Sequence, residues 1–364
     1  MKPVWQALAW TTGVLGAAIT GAAVGAAAQS SRIAALRRTD DPYADEPLGR
    51  LQPDRRSTVT ADDGVPLAVQ EIKPADGEHA EVTVVFVHGY ALDSRCWHFQ
   101  RRDLPELTDP RVRLVLYDQR SHGRSGHSAK RGSTIDQLGR DLDAVLRATA
   151  RRGPVVLVGH SMGGMTIMAL AEQRPELFRD RVLGVALLGT SAGGIGASGM
   201  PRPWLSRYNP VPRGLALLAG FQPGLVERAR RTGAQLTWSV IRSVSAGELR
   251  VSPALVDLVA DMIGATTVEV VTDFLDTIGS HDRRAALAAL RGCEVLVLAG
   301  DADRITAFEH SEAIAAELPD GELVRIADSG HMVMLEQHEA VTEQLAALLR
   351  RAVARNGSGE VTGS

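Results

Sequence analysis

A serine between glycines follows an apolar run in VVLVGHSMGGM, residues 155–165. The spacing Gly159-x-Ser161-x-Gly163 is typical of a buried strand that turns directly into a helix. Such a turn requires a strained backbone at the serine, and neighbouring glycines let strand and helix approach closely. The hydroxyl then projects above the carboxyl edge of a sheet, beside the amino terminus of the helix. The pattern therefore predicts that Ser161 is a nucleophile.

A serine alcohol reacts only when a base takes its proton, so the sequence must supply an imidazole. His331, in DSGHMVMLEQ, follows the last apolar run, and Asp303, in VLAGDADRIT, follows the preceding one. A carboxylate at that position can orient the imidazole. The order Ser161, Asp303, His331 along the chain is the order that a serine nucleophile of this type requires. We predict that the three side chains meet at one edge of the sheet as a catalytic triad.

The negative charge of a tetrahedral intermediate needs hydrogen-bond donors. The backbone N–H of Met162, directly after the serine, is one predicted donor. The second is an N–H of Tyr90, in the loop after VTVVFVHG, supplied by its backbone and not by its phenol. This chemistry requires no metal and no organic cofactor, and the sequence contains no metal-ligand spacing.

Five other ionisable residues near these motifs have simpler interpretations. Asp301 is predicted to hydrogen-bond within its own turn. His310 and His338 lie in polar helical patterns and are predicted to face solvent. His281 could touch substrate, although a structural role is favoured. His122, in a loop rich in glycine and serine, is interpreted as structural.

Apolar runs place these motifs on strands that are buried on both faces, as in a parallel sheet. The runs cover residues 82–89, 112–118, 154–161, 182–189, 293–301 and 321–331. Helical patterns cover residues 134–152, 166–173, 307–318 and 336–351, and a hairpin is predicted around Asp63-Gly64. Strands that alternate with helices predict an α/β fold with an open, mostly parallel sheet and helices on both faces.

The same patterns divide the chain into segments. Residues 193–285 contain no comparable strand and are predicted to form a helical cap inserted into the core, which covers residues 57–192 and 286–352. Residues 32–56 are rich in Asp, Arg and Pro and are predicted to be a polar linker. Residues 353–364 are predicted to be a disordered tail.

Residues 1–31 are interpreted as a membrane-spanning anchor, because no residue from Pro3 to Ser31 is charged. A cleaved export signal is the alternative, since Ala26 to Ala28 resemble a signal-peptidase site and cleavage would release a secreted protein. The arginines that follow favour a cytoplasmic catalytic part, whereas a signal would place it outside. The side of the membrane is left open.

The overall composition is that of an ordinary globular protein. The hydrophobic fraction is 45%, the charged fraction is 23% and the formal net charge is −3. The chain has no basic excess, so no nucleic-acid partner is predicted. Cys96 and Cys293 lie in different contexts and are interpreted as free thiols.

Five segments, FVHGY, YDQRSHGRSG, GHSMGG, LAGDADRIT and DSGHMVMLEQ, together resemble the α/β-hydrolase family over about residues 57–352. The resemblance implies a serine esterase, lipase or related acyl hydrolase, acting on a small acyl or ester substrate that could be a lipid. It also extends to the cofactor-free haloperoxidase or perhydrolase branch, which has the same triad. Gln119 and Ser121 depart from the family pattern, but both lie away from the nucleophile.

Two alternatives were weighed against this interpretation. Epoxide hydrolases and haloalkane dehalogenases of the family need an aspartate at position 161, and the serine there argues against them. A catalytically silent member that binds a ligand or a partner would typically lack a triad residue, and here none is missing.

Overall fold

The computed structural model describes residues 41–195 and 252–361, and within these ranges eight strands form one sheet. The strands are β1 (Arg55–Thr60), β2 (Pro66–Ile72), β3 (Val82–Val87), β4 (Val112–Tyr117), β5 (Val155–His160), β6 (Val182–Leu188), β7 (Glu294–Gly300) and β8 (Glu322–Ile326). Their order is β1-β2-β4-β3-β5-β6-β7-β8. β2 pairs antiparallel with β1 and β4, whereas the pairs among β3 to β8 are parallel. The predicted mostly parallel sheet is confirmed.

Helices pack on both faces of this sheet. They are α1 (His98–Asp103), α2 (Ile135–Thr149), α3 (Met162–Gln173), α4 (Pro175–Asp180), α5 (Pro253–Ala265), α6 (Val268–Gly279), α7 (Phe308–Glu317), α8 (Val333–Glu336) and α9 (His338–Val361). Val84 and Phe86 of β3 face the side covered by α1, α8 and α9. Val85 and Val87 face α2, α3, α4 and α7 on the other side. Burial on both faces explains the continuous apolar runs of β3 to β7. The prediction of burial on both faces is wrong for the run 321–331, because β8 lies at the edge of the sheet and most of its side chains are exposed.

The strand order reverses around β3, which lies between β4 and β5. In open parallel sheets the crevice for ligands opens at the carboxyl ends of the strands, where the order reverses. Gly89 and Tyr90 follow β3, and Ser161 follows β5. The fold therefore brings the loop after β3 beside the predicted nucleophile.

The predicted hairpin is formed by β1 and β2. Thr60 pairs with Pro66, and the turn between them contains Asp63 and Gly64. Gly64 has a φ of +88°, a left-handed conformation that favours glycine.

The insertion between β6 and β7 is helical where it is described. α5 begins after Ser252, whose hydroxyl accepts the N–H of Leu255 at 3.4 Å. α6 begins after Thr267, whose hydroxyl accepts the N–H of Val270 at 3.4 Å. Residues 196–251, which include most of the predicted cap, lie outside the described residues. The cap as one unit of residues 193–285 stays a prediction.

The described part of the predicted linker, residues 41–54, packs on the core. The Tyr43 ring lies 5.3 Å from the ring of Phe99, and its hydroxyl is 2.9 Å from Nε2 of His338. Asp41 accepts the N–H of Ala254, the second residue of α5, at 2.9 Å. The prediction that the folded domain begins near residue 57 is wrong, because the aromatic ring of Tyr43 contributes to the core despite its polar surroundings.

The final helix also departs from the prediction. α9 continues to Val361, over residues assigned to a disordered tail from 353 onwards. The Arg355 guanidinium lies 3.2 Å from the Glu294 carboxylate, so this ion pair joins the helix to β7.

Both ends of the chain lie partly outside the described residues. Residues 1–40, which contain the predicted anchor or signal, and residues 362–364 are not described. In the part of the chain that is described, no helix is both long enough and apolar enough to cross a bilayer.

Candidate active site

Ser161 lies in the tight turn between β5 and α3. Its backbone has a φ of 53° and a ψ of −119°, a left-handed conformation that is unfavourable for a residue with a Cβ. Glycine is required on both sides of Ser161 because the backbone segments approach each other closely there. A Cβ at Gly163 would lie 2.1 Å from the carbonyl oxygen of Val87. A Cβ at Gly159 would lie 2.7 Å from the backbone of Gly163. The turn therefore has the strained geometry that the sequence predicts.

His331 and Asp303 are hydrogen-bonded in the loops after β8 and β7. Nδ1 of His331 lies 2.8 Å from Oδ2 of Asp303, and both side chains are buried. The carboxylate also accepts the N–H of Ile305 at 2.8 Å, and the N–H and hydroxyl of Thr306 at 3.0 and 2.9 Å. Burial opposes ionisation of Asp303, but the electrostatic interaction with His331 and these hydrogen bonds hold the pKa of the carboxyl below its usual range.

His160, directly before the nucleophile, connects Ser161 to the loop of His331. Its Nε2 donates to the backbone carbonyl of His331 at 2.8 Å, and the two imidazole rings lie 4.7 Å apart. Burial, reinforced by the neighbouring His331, lowers the pKa of His160 to about 3, so this ring is neutral. Among the described residues, Ser161 Oγ makes no hydrogen bond to His331. In apo enzymes such a contact is often long and tightens only when substrate binds.

The backbone around the two predicted oxyanion donors lies against Ser161. Met162 is the first residue of α3, where the backbone N–H has no acceptor within the helix. Tyr90 belongs to the β3 loop, residues 88–92, and a Cβ at Gly89 would lie 3.2 Å from Cβ of Ser161. The phenol of Tyr90 donates to the carbonyl oxygen of Val271 in α6. The phenol is thus bonded to a different part of the protein.

Two histidines predicted to face solvent are buried, and that prediction is wrong. His310 Nδ1 lies 3.0 Å from the hydroxyl of Ser191. His338 stacks on Phe99 with 3.7 Å between the ring centroids. Both helices also bury apolar side chains, among them Ile314 and Val341, so the interpretation of these segments as polar patterns misplaced the two histidines.

The other ionisable residues near the motifs are not part of the hydrogen-bonded pair that His331 and Asp303 form. Asp301 is exposed, and its carboxylate accepts the N–H of Ser329 at 3.4 Å. His122 is buried with Nδ1 2.8 Å from the carbonyl of Arg120, and burial lowers its pKa to about 3. Burial likewise lowers the pKa of His281 to about 4.

Sequence reasoning missed three residues that support the site. Thr306 binds the carboxylate of Asp303, and His160 binds the backbone of the loop that carries His331. Gln119 donates its amide N–H to the carbonyl of His88 at 2.7 Å and accepts the hydroxyl of Thr166 at 2.8 Å. This residue, which departs from the family pattern, links the β3 loop to α3. Only Thr306 has a local signal, because a threonine three residues after an aspartate can donate back to it.

Comparison with known proteins identifies the family. A family model described as the alpha/beta hydrolase family matches residues 84–344. The chain belongs to this family. The relatives of this α/β-hydrolase with esterase and lipase names support hydrolase activity.

Two curated relatives match most of the chain. The dihydrolipoyllysine-residue acetyltransferase component of the acetoin cleaving system of Pseudomonas putida is 28% identical over 287 residues, which cover 76% of this chain and 65% of the relative. The sn-1-specific diacylglycerol lipase of Mus musculus is 26% identical over 277 residues, which cover 74% of this chain and 83% of the relative. The α/β-hydrolase thus spans about two thirds of the first relative and most of the second.

Solved structures agree with the fold. A thermophilic esterase from Thermogutta terrifontis has a TM-score of 0.63 at 27% identity, covering 82% of this chain and 99% of that one. A bromoperoxidase from Bacillus anthracis has a TM-score of 0.61 at 19% identity, covering 81% of this chain and 100% of that one. The second similarity concerns the fold alone.

Proposed function

We propose that this α/β-hydrolase is a serine hydrolase that cleaves a carboxylic ester or a related acyl bond through an acyl-enzyme intermediate. The hydrogen bond between His331 and Asp303, together with the strained strand-to-helix turn at Ser161, is the observation that carries the proposal. Relatives that are named esterases and lipases support the same reaction class.

In the acylation step, Ser161 Oγ attacks the carbonyl carbon of the ester while His331 Nε2 takes the hydroxyl proton. Asp303 accepts the Nδ1–H of His331, which leaves Nε2 free to act as the base and stabilises the imidazolium that forms. The electron pair of the carbonyl moves to its oxygen, where the N–H groups of Tyr90 and Met162 are proposed to bind it. The intermediate then collapses, and the leaving alkoxide takes the proton from Nε2.

Deacylation repeats the sequence with water as the nucleophile. His331 Nε2 takes a proton from the water, which attacks the acyl carbon, and returns it to Ser161 Oγ as the acid leaves. The only other substrate is water, so the reaction balances without a metal or organic cofactor.

Hydrolysis of a panel of p-nitrophenyl esters tests this proposal. The wild-type protein should release p-nitrophenolate, and Ser161→Ala should lower kcat by about 10⁴ or more if both variants are folded. The dependence of kcat/KM on acyl length then distinguishes a lipase from an esterase for short chains. Absence of turnover on every ester, in a folded wild-type protein that binds ligand, would favour the catalytically silent binder instead.

We also propose that residues 1–31 attach the protein to a membrane. The uncharged stretch from Pro3 to Ser31 supports this proposal. The full chain should sediment with membranes and resist extraction with alkaline carbonate, whereas a chain beginning at residue 32 should not. A mature protein that begins near residue 29 would show instead that the segment is a cleaved export signal.

A further inference from the structure

The side chain of Tyr90 connects the β3 loop to the described part of the cap. Its hydroxyl donates to the carbonyl oxygen of Val271, in the first turn of α6. Burial raises the pKa of this phenol, so the hydroxyl stays protonated and acts as a donor. The backbone of the same residue directly follows Gly89, which packs against His160 and Ser161. One residue therefore carries both a proposed oxyanion donor and a bond to α6.

The residue after Tyr90 makes a second connection to the same region. Ala91 has a φ of 56°, a left-handed conformation that costs energy for a residue with a Cβ. Its carbonyl oxygen accepts the hydroxyl of Thr266, between α5 and α6, at 3.5 Å. A strained loop keeps its conformation only where its surroundings determine it, and here α5 and α6 provide part of those surroundings.

α6 also packs against the helix that begins at the nucleophile. Val270 and Phe274 of α6 form one buried cluster with Met162 and Met165 of α3, and Tyr90 packs against this cluster. The position of α6 is therefore related by direct contact to both proposed oxyanion donors, Tyr90 and Met162.

A second polar bond holds α6 at a place remote from the β3 loop. The hydroxyl of Thr277, near the end of α6, accepts the N–H of Ile135, the first residue of α2, at 3.0 Å. This bond contributes to docking of α6 but touches neither the β3 loop nor α3. It offers a matched comparison for the bond of Tyr90.

We propose that Tyr90 is a positioning residue whose phenol, bonded to α6, fixes the orientation of its own backbone N–H in the oxyanion hole. The inference rests on the proposed serine hydrolase function. Oxyanion donors are effective only at about 2.7–3.1 Å from the position that the charged oxygen occupies in the transition state. A small rotation of the β3 loop would weaken transition-state binding while leaving binding of the substrate nearly unchanged.

Steady-state kinetics of Tyr90→Phe and Thr277→Val test this inference. Tyr90→Phe keeps the ring and removes the hydroxyl, and we expect kcat to fall by about tenfold while KM changes less than about twofold. Thr277→Val removes the bond between α6 and α2 and should leave kcat within about twofold of wild type. A wild-type kcat for Tyr90→Phe would overturn the inference, as would an equal loss in Thr277→Val, which would indicate general loosening of α6.

Inhibitor binding gives an independent readout. A boronic acid forms a tetrahedral, negatively charged adduct with a catalytic serine, whereas a non-hydrolysable amide analogue resembles the bound substrate. Tyr90→Phe should weaken the boronic acid by the same factor as kcat/KM and leave the amide unaffected. Equal weakening of both inhibitors would contradict a role in the oxyanion hole.

The outcomes separate this inference from the proposed function. A wild-type protein without esterase activity and without boronic acid binding would remove the proposed function itself. If the wild-type enzyme is active and Tyr90→Phe has the same kcat and the same affinity for the boronic acid, only the proposed role of the phenol is excluded.

Discussion

His331 is held through its imidazole by one residue and through its backbone by another. Asp303 binds Nδ1 at 2.8 Å with a carboxylate that is itself fixed by Ile305 and Thr306. His160 binds the backbone carbonyl of the same histidine at 2.8 Å. The first contact acts on the charge and tautomer of the ring, and the second acts on the position of its loop.

Asp303→Asn should therefore damage catalysis far more than folding. The amide retains the shape of the side chain but cannot stabilise the imidazolium, and it favours the wrong tautomer of His331. We expect kcat to fall by on the order of 10³ to 10⁴ in an esterase assay, with a normal circular dichroism spectrum. Asp301→Asn, two residues away and exposed, is the matched control and should keep wild-type kcat. Equal kcat values for the two variants would exclude Asp303 as the orienting carboxylate.

At the scale of single elements, the start of α3 lies unusually close to the end of β3. A Cβ at Gly163 would overlap the backbone carbonyl of Val87, at 2.1 Å. Backbone atoms cannot move aside as the end of a flexible side chain can. The first turn of α3, which carries Ser161 and Met162, therefore depends on this glycine for its position.

Gly163→Ala should displace that turn and lower both stability and activity. We expect the thermal midpoint to fall by several degrees, with loss of more than about 90% of kcat/KM. Gly292→Ala is the control, because a Cβ at Gly292 meets no atom within 4 Å. Differential scanning calorimetry and ester hydrolysis measure the two effects. Wild-type behaviour of Gly163→Ala would show that α3 can shift without consequence.

Arg120, in the loop after β4, forms a buried ion pair with α2 and a partly exposed one with the β1–β2 hairpin. Its guanidinium, fully buried, bonds the carboxylate of Asp141 in α2 at 2.6 and 2.7 Å, and that of Asp63 in the hairpin at 2.7 and 2.9 Å. Removal of one partner from such a network leaves an uncompensated buried charge.

Arg120→Ala should lower the free energy of unfolding by about 3–5 kcal/mol, because Asp141 would lose its charged partner. Arg147→Ala is the control, since Arg147 is exposed and its partner Asp143, in the same helix, keeps a second pair with Arg174. This substitution should cost less than about 1 kcal/mol. Urea denaturation measures both changes. Similar losses for the two variants would contradict the distinction between a buried and an exposed pair.

At the scale of the whole molecule, the core contains several neutral histidines. Burial lowers the pKa of His122 and His160 to about 3, and that of His281 to about 4. In the unfolded chain each would titrate near its ordinary pKa of about 6.5. Between these limits the unfolded state binds protons that the folded state excludes.

Stability should therefore fall as the pH decreases from about 6.5 to about 4, by about 1.4 kcal/mol per pH unit for each buried histidine. The lowered pKa of Asp303 affects stability in a different pH range. Its stabilising contribution is lost only as the pH falls below the ordinary pKa of an aspartate, about 3.9. Urea denaturation at a series of pH values measures the slope, and His122→Phe should reduce it. A stability that does not change over this pH range would contradict the account.

The fold could be predicted because the information for the sheet is local. Five of the six predicted parallel strands, β3 to β7, are apolar runs that the structure buries on both faces, and such burial produces that pattern directly. The order Ser161, Asp303, His331 was also accessible, because each residue follows such a run. The packing of Tyr43 on Phe99 could not be predicted, since it depends on two segments that are far apart in the sequence.

The burial of two histidines and one supporting contact of the site were hidden for the same reason. His310 and His338 lie in helices that also carry polar residues, and their burial becomes clear only from their tertiary partners Ser191 and Phe99. His160 is an interior position of the Gly-x-Ser-x-Gly motif, which places no constraint on its residue type. Its contact with the carbonyl of His331 becomes visible only when the loops after β5 and β8 are adjacent.

The central claim is that Ser161 is made reactive by His331 and Asp303. Its most direct test is labelling with a fluorophosphonate, followed by tandem mass spectrometry of the tryptic peptides. We predict a single adduct on Ser161 in the wild-type protein and no adduct on Ser161→Ala under the same conditions. An adduct on another residue, equal labelling of the two proteins, or no labelling of folded wild-type protein would contradict the claim.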